Sequence, residues 1–142
     1  MQTVPFKAAH AARLRIQSAQ AWMGDMLCAP DMATLEQPHA TTILDGDTVL
    51  LCAGAIELWP GRAYIWSVLS AEFTPRKFLR MQTIAKDWVA NLPFDRIEAA
   101  VEASFEAGHR WVISLGFTRE TEDVMRKFMD GRDFVLYARV KE

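Results

Sequence analysis

The segment that most constrains this chain is AYIWSVLSAEFTPRKFLRMQTIAKDWVANL, from Ala63 to Leu92. Tyr64, Ile65, Trp66, Val68 and Leu69 make a β-branched and aromatic run suited to a strand buried on both faces. A helix follows at once. Thr74 is a residue type that caps a helix start, and Pro75 falls at the first helical position, where its missing N–H costs nothing. Phe78, Met81, Ala85, Trp88 and Leu92 then recur at helical spacing, giving one apolar stripe able to pack on a sheet. Strand, turn and amphipathic helix are half of a strand–helix–strand crossover, whose right-handed return puts the next strand parallel to the first.

The charges at that helix start run against the expected sign. Arg76, Lys77 and Arg80 sit where the helix dipole and the unpaired N–H groups already make the potential positive. An anion would relieve the conflict, and a strand, a turn and a helix start flanked by cations together form a phosphate-binding arrangement. The plainer reading is a solvated helix face, since exposed Arg and Lys are common.

At 142 residues the chain is expected to form a single domain over residues 1–142, large enough for a real core. Hydrophobic residues at 51% and charged residues at 24% exclude wholesale disorder. Five Trp and eight Phe predict a well-filled core. A net charge of −2 gives no electrostatic case for nucleic-acid binding, and only the Arg76 to Arg80 cluster departs from that balance. Cys28 and Cys52 lie in no C-x-x-C pair and near no His at ligand spacing, so two buried free thiols and no metal site are expected. The N-terminus lacks a continuous apolar signal segment, and no run approaches the roughly 20 apolar residues of a membrane helix. A soluble protein in a reducing cytoplasm is expected.

Elsewhere, Thr3 to Phe6 reads as a first strand, and Ala8 to about Met23 as one helix closed by Gly24. Asp25 to His39 reads as a packed loop or short helix, in which Met23, Met26 and Met32 are packing residues. Thr41 to Leu44, the turn Asp45-Gly46-Asp47 and Thr48 to Leu58 make a hairpin. Gly54, inside that second strand, marks a bulge or a close backbone approach. Pro60-Gly61 provides the next reversal, into the Ala63 strand. After the long helix, Arg96 to Ala103 alternates as a parallel strand, Glu106 to Leu115 is a helix ended by Gly116, and Asp130-Gly131-Arg132-Asp133 turns into a last strand, FVLYARV. The succession is an α/β fold around a mixed sheet with the parallel pair at its centre.

That order, with HRWVISLGF at His109 to Phe117 and the closing MDGRDFVLYARV, resembles the GNAT family of acetyl-CoA-dependent N-acetyltransferases. More narrowly, Trp59-Pro60-Gly61-Arg62, the Trp66 strand and Arg110-Trp111 before Leu-Gly-Phe resemble the small GNAT-like proteins of tailed bacteriophages, described as internal virion protein A or as acyltransferases. The resemblance covers most of the chain from Thr41 onward. It implies a GNAT-like mixed central sheet of about six to seven strands with helices on both faces. It also implies acetyl-CoA in a cleft where the central strand splays from its parallel neighbour. The pantetheine would pair with the strand at Val68, Leu69 and Ser70, and the pyrophosphate would sit on the turn at Thr74, Arg76, Lys77 and Phe78. The anion site inferred from charge alone coincides with it.

The departures from the family pattern matter equally. No glycine occurs between Gly61 and Gly108, although close approach of backbone to phosphate favours glycine. The family's general-acid Tyr, four residues before the helix-ending Gly, is matched by Val112, and the Asn near the start of that helix by Phe105. Remaining candidates are Glu57, at the end of the third strand, as base, then Glu72, with Ser70, Ser114 and Tyr137 as hydrogen-bond donors. Each has a plain alternative: a solvated strand end for Glu57, a loop charge for Glu72, a helix-surface position for His109, and core packing for Trp66 and Trp111. Three functions follow: an acyl-CoA-dependent N-acyltransferase acting on an unidentified amine; a phage GNAT-fold protein without catalysis, used in virion assembly or host-protein binding; or a sensor that binds CoA without turnover. The expected location is the host cytoplasm, or a virion into which the protein is packaged.

Overall fold

Alternating apolar runs and one long amphipathic helix resolve as the strands and helices they predict. The computed structural model describes residues 1–142, the side chain of Pro30 excepted. The chain forms two compact units, Met1–Ile56 with Ile65–Ile84, and Glu57–Tyr64 with Ala85–Glu142. Strands β3 (Thr48–Trp59) and β4 (Arg62–Leu69) and helix α3 (Pro75–Ala90) each run from one unit into the other.

The first unit opens with β1 (Gln2–Pro5) and the short helix α1 (Ala8–Arg13). A 3-10 turn at Ser18–Met23, a single helical turn α2 (Gly24–Leu27) and a second 3-10 turn at Pro30–Leu35 lead to β2 (Ala40–Asp45). β1 and β2 are antiparallel, as are β2 and β3, and β4 lies next to β3. Gly46, with φ +61°, supplies the turn that the Asp-Gly pair predicts. The core here gathers Phe6, Leu14, Leu27, Met32, Val49 and Val68. Gly54 proves to be a close approach: a Cβ there would lie 2.6 Å from Trp66 Nε1. Phe6 meets the same indole edge to face at 5.1 Å, so Trp66 is half-buried packing on one strand face.

The single helix expected from Ala8 to Met23 does not form. It stops at Arg13, and Leu14 turns extended with ψ 128°. The reason is tertiary: the next residues hydrogen-bond to the end of β4, with an isolated antiparallel bridge pairing Ile16 and Ser70. Those bonds outweigh a helical spacing made largely of alanines. Gly24, expected to close the helix, has φ −53° and opens α2 instead.

The second unit contains β5 (Arg96–Glu102), α4 (Glu106–Ser114), β6 (Thr118–Arg119), β7 (Met125–Met129) and β8 (Arg132–Val140). β5 runs parallel to β4 over Arg62, Ala63 and Tyr64, as the crossover predicts. It pairs antiparallel with β8 from Arg96 opposite Val140 to Glu102 opposite Phe134. Asp130 and Gly131, with φ of 51° and 68°, make the tight β7–β8 turn. Gly108 lets α4 approach β5, since a Cβ there would come within 2.9 Å of Val101 Cγ1. Glu98, buried, receives hydrogen bonds from Arg62 and Arg96, and Arg96 reaches on to Glu120 at 2.7 Å. The Arg62 guanidinium above all holds the Glu98 carboxyl below the usual carboxylate range.

Hydrogen bonds order the strands β1-β2-β3-β4-β5-β8-β6, with β7 also on β8, the mixed central sheet that was expected. Two expectations change in detail: Cys28 is exposed rather than buried, and Met26, read as a packing residue, is half-exposed. Trp59 is 71% exposed. No described helix is long and apolar enough to cross a membrane.

Candidate functional site

The cationic turn lies in the first unit. Thr74 caps α3 as its residue type predicts, its Oγ1 accepting the Lys77 N–H at 3.2 Å. Phe78 is half-buried, its ring edge to face with Phe73 at 5.7 Å. The three cations differ. Lys77 Nζ is 2.7 Å from Asp45 Oδ2, and that contact holds the Asp45 carboxyl below its usual range. Arg76 and Arg80 are exposed and form no ion pair among the described residues. The positive potential at the helix start therefore comes from these two arginines, with Lys77 already neutralised.

Val68, Leu69 and Ser70 are buried at the end of β4. The Ser70 N–H donates to Leu50 O on the β3 side at 2.8 Å. By the alternation of a strand, Ser67, Leu69 and Ala71 direct their backbone groups to the opposite side. Four of those groups are already bonded by the chain's own residues 15–20. The Gln20 carboxamide donates to Ser67 O at 3.0 Å and accepts the Leu69 N–H at 3.1 Å. The Gln17 N–H donates to Leu69 O at 3.0 Å, and the Ala71 N–H to Arg15 O at 2.7 Å. Glu72, just beyond, pairs with Arg15 at 2.7 Å, and its N–H donates to Ser70 Oγ at 2.9 Å.

The other candidates are spread over the second unit. Glu57 is exposed at the end of β3. Ser114 is half-buried, its hydroxyl donating to Trp111 O at 2.6 Å within α4. Val112 is buried and has no proton to give. Phe105 packs against Gly108 in place of a polar helix-start residue. His109 departs from the expected surface role. It is half-buried, its Nε2 donating to Ala103 O at 3.0 Å and its Nδ1 lying 2.8 Å from Tyr137 Oη. Burial pushes the Tyr137 phenol up. Tyr137 is only 2% exposed, so this pair fixes α4 to β8. No group of residues able to hold a metal occurs among the described residues.

Arg15, Gln17 and Gln20 escaped the sequence reading. The signal available was two glutamines and Ser18 inside the Ile16 to Met23 segment, an ordinary composition for a helix.

No family model matches the sequence, and no curated protein does. Solved structures do match by shape. An acetyltransferase of the GNAT family from Bacillus anthracis superposes with a TM-score of 0.64 at 12% identity, over 97% of this chain and 93% of its own. The fold is that of the GNAT acetyltransferases. An aminoglycoside 6′-N-acetyltransferase complexed with coenzyme A matches with a TM-score of 0.68 at 12% identity, over 99% of this chain and 97% of its own. A spermidine N-acetyltransferase chimera from Vibrio cholerae and hSSAT matches over 71% of this chain, with a TM-score of 0.55 and 16% identity, and there the chain spans 65% of the neighbour's length. Within the GNAT fold, the lack of a general acid at Val112 and the lack of glycines after β4 are the departures already visible in the chain.

Proposed function

We propose that this chain is an acetyl-CoA-dependent N-acetyltransferase of the GNAT type, with coenzyme A lying along the outward side of β4 and its pyrophosphate at the start of α3. The observation that carries the reading is the seat of the Gln20 carboxamide on Ser67 and Leu69. That strand edge binds an amide, and the pantetheine arm of coenzyme A is an extended chain bearing amides. Val68, Leu69 and Ser70 would supply the strand, and Thr74, Arg76, Lys77 and Phe78 the turn. Arg76 and Arg80 would meet the phosphates, reinforced by the helix dipole. The coenzyme A complex among the GNAT-fold neighbours supports the choice of ligand.

In the transfer, the amine nitrogen attacks the thioester carbonyl, a C–N bond forms, and the C–S bond breaks to release the thiolate. A carboxylate takes the amine proton. Glu57 is the first candidate for that base and Glu72 the second. Ser114 is the one hydroxyl on α4 that could hydrogen-bond the thiolate, since Val112 cannot.

A second reading rests on Val112 and on the occupied β4 edge: a GNAT-fold protein without turnover, serving phage virion assembly or binding a host protein. Calorimetry with acetyl-CoA and with desulfo-CoA tests the first reading. Heat with both, and thiol release from acetyl-CoA with a primary amine, is the expected result. No heat with either at high protein concentration removes it. Arg76→Ala should weaken binding by about 1 to 3 kcal/mol, the loss of a charge-assisted hydrogen bond. Unchanged affinity puts the phosphates elsewhere.

A further inference from the structure

We propose that residues Arg15 to Gln20 form an autoinhibitory strap, seated on the β4 edge where the co-substrate's amide would bind, which lifts for acetyl-CoA to enter. The proposal rests on the acetyl-CoA reading above and concerns the regulation of that same site.

The strap imitates a strand without being one. Its backbone contributes a single bridge, Ile16 to Ser70, held by the Gln17-to-Leu69 and Ala71-to-Arg15 bonds. Beyond that bridge the pairing continues through a side chain. Gln20 Nε2 donates to Ser67 O, and Gln20 Oε1 accepts from both the Leu69 N–H and, at 2.8 Å, Gln17 Nε2. A primary carboxamide, fixed by a second glutamine, thus takes the donor and acceptor positions a peptide-like amide would take. All three contacts have normal hydrogen-bond lengths, so the carboxamide is fitted to the edge.

Apart from Ile16, which packs against the core of this unit, the same residues are weakly held otherwise. Arg15 is anchored by its ion pair to Glu72, with its side chain 78% exposed, and Ile16, Gln17 and Gln20 are only half-buried. α1 before the strap has six residues, and the helical turn α2 after it has four. Elements so short are marginal on their own and can shift without unfolding a long helix. The strap covers the edge with polar contacts that a ligand amide can replace one for one.

Two variants test this by calorimetry with coenzyme A. Gln20→Ala leaves Ser67 O and the Leu69 N–H open, and should tighten coenzyme A binding about tenfold. The second carries Ile16→Cys and Ser70→Cys in a Cys28→Ser background. Ile16 and Ser70 are flanked by the bridge bonds, so they form a non-hydrogen-bonded antiparallel pair, whose Cα separation of about 4.5 Å suits a disulfide. Oxidation should abolish coenzyme A binding, and reduction of the same sample should restore it, which controls for folding and for loss of the Ser70 hydroxyl. Equal affinity in the oxidised and reduced forms, or weaker binding by Gln20→Ala, overturns the strap alone. Binding by none of wild type, Gln20→Ala and the reduced double variant retires the acetyl-CoA reading, and the strap with it.

Discussion

The two halves of β4 are finished in different ways. Arg62, Ala63 and Tyr64 pair with a full parallel strand, and the buried Glu98 carboxylate beside them is clasped by Arg62 and Arg96. Ser67, Leu69 and Ala71 meet one backbone bridge and one carboxamide. The first arrangement is a ladder backed by buried charge, which opens only when the unit around it unfolds. The second satisfies the same kind of backbone groups with pieces that can leave separately. A strand edge can therefore be protected from stray pairing and still be available, provided its cover is a short polar segment.

Gly54→Ala should have the largest effect. The new Cβ would strike the Trp66 indole at 2.6 Å, on the β3 side of the distal half, and overpacking of this kind costs about 3 kcal/mol. A lower urea midpoint is expected. An unchanged midpoint would mean that Trp66 is free to move, and that the strap does more to hold β4 than β3 does.

At the proximal half, Glu98→Ala leaves Arg62 and Arg96 facing each other without their shared carboxylate. About 2 kcal/mol of stability should be lost, less than for a fully dry pair because both guanidiniums reach water. The sign of the pH dependence follows from the lowered carboxyl. Its contribution is complete above the ordinary glutamate range and disappears as pH falls through the depressed folded value. Wild-type stability should drop in that acid window, and the Glu98→Ala protein should show a shallower drop.

Arg15→Ala should be the mildest. Its exposed pair with Glu72 is worth less than about 1 kcal/mol, so the urea midpoint should barely move. Hydrogen exchange should register it nonetheless. In the wild type, the Leu69 and Ala71 amides should already exchange at least about tenfold faster than the Arg96 amide, which donates to Gly61 O at 3.0 Å. Arg15→Ala should widen that gap. Equal protection at both halves would erase the distinction between ladder and cover.

Most of the frame was legible in the residues. Thr74-Pro75, the Phe78 to Leu92 stripe and the Asp-Gly turns are local signals, and local signals decide helix starts and tight hairpins. The parallel return of β5 followed from the handedness of the crossover. What was not legible depended on contacts between distant segments. Ala8 to Met23 has helical spacing, and only the open backbone of Leu69 and Ala71, far along the chain, explains why it breaks at Leu14. β6 and β7 were hidden because they are short and largely exposed, so no apolar alternation marks them. At the site, the excess of cations was readable, but the neutralisation of Lys77 by Asp45 and the role of Gln20 were not, since neither pairing has a sequence spacing to betray it.

The two cysteines make the chain easy to watch. Burial pushes the Cys52 thiol up to about 11, where a maleimide finds almost no thiolate, while Cys28 is exposed just past α2. One fluorophore can thus be installed on the unaltered protein at a single known position, a few residues downstream of Gln20, and its emission followed in real time as nucleotide is added.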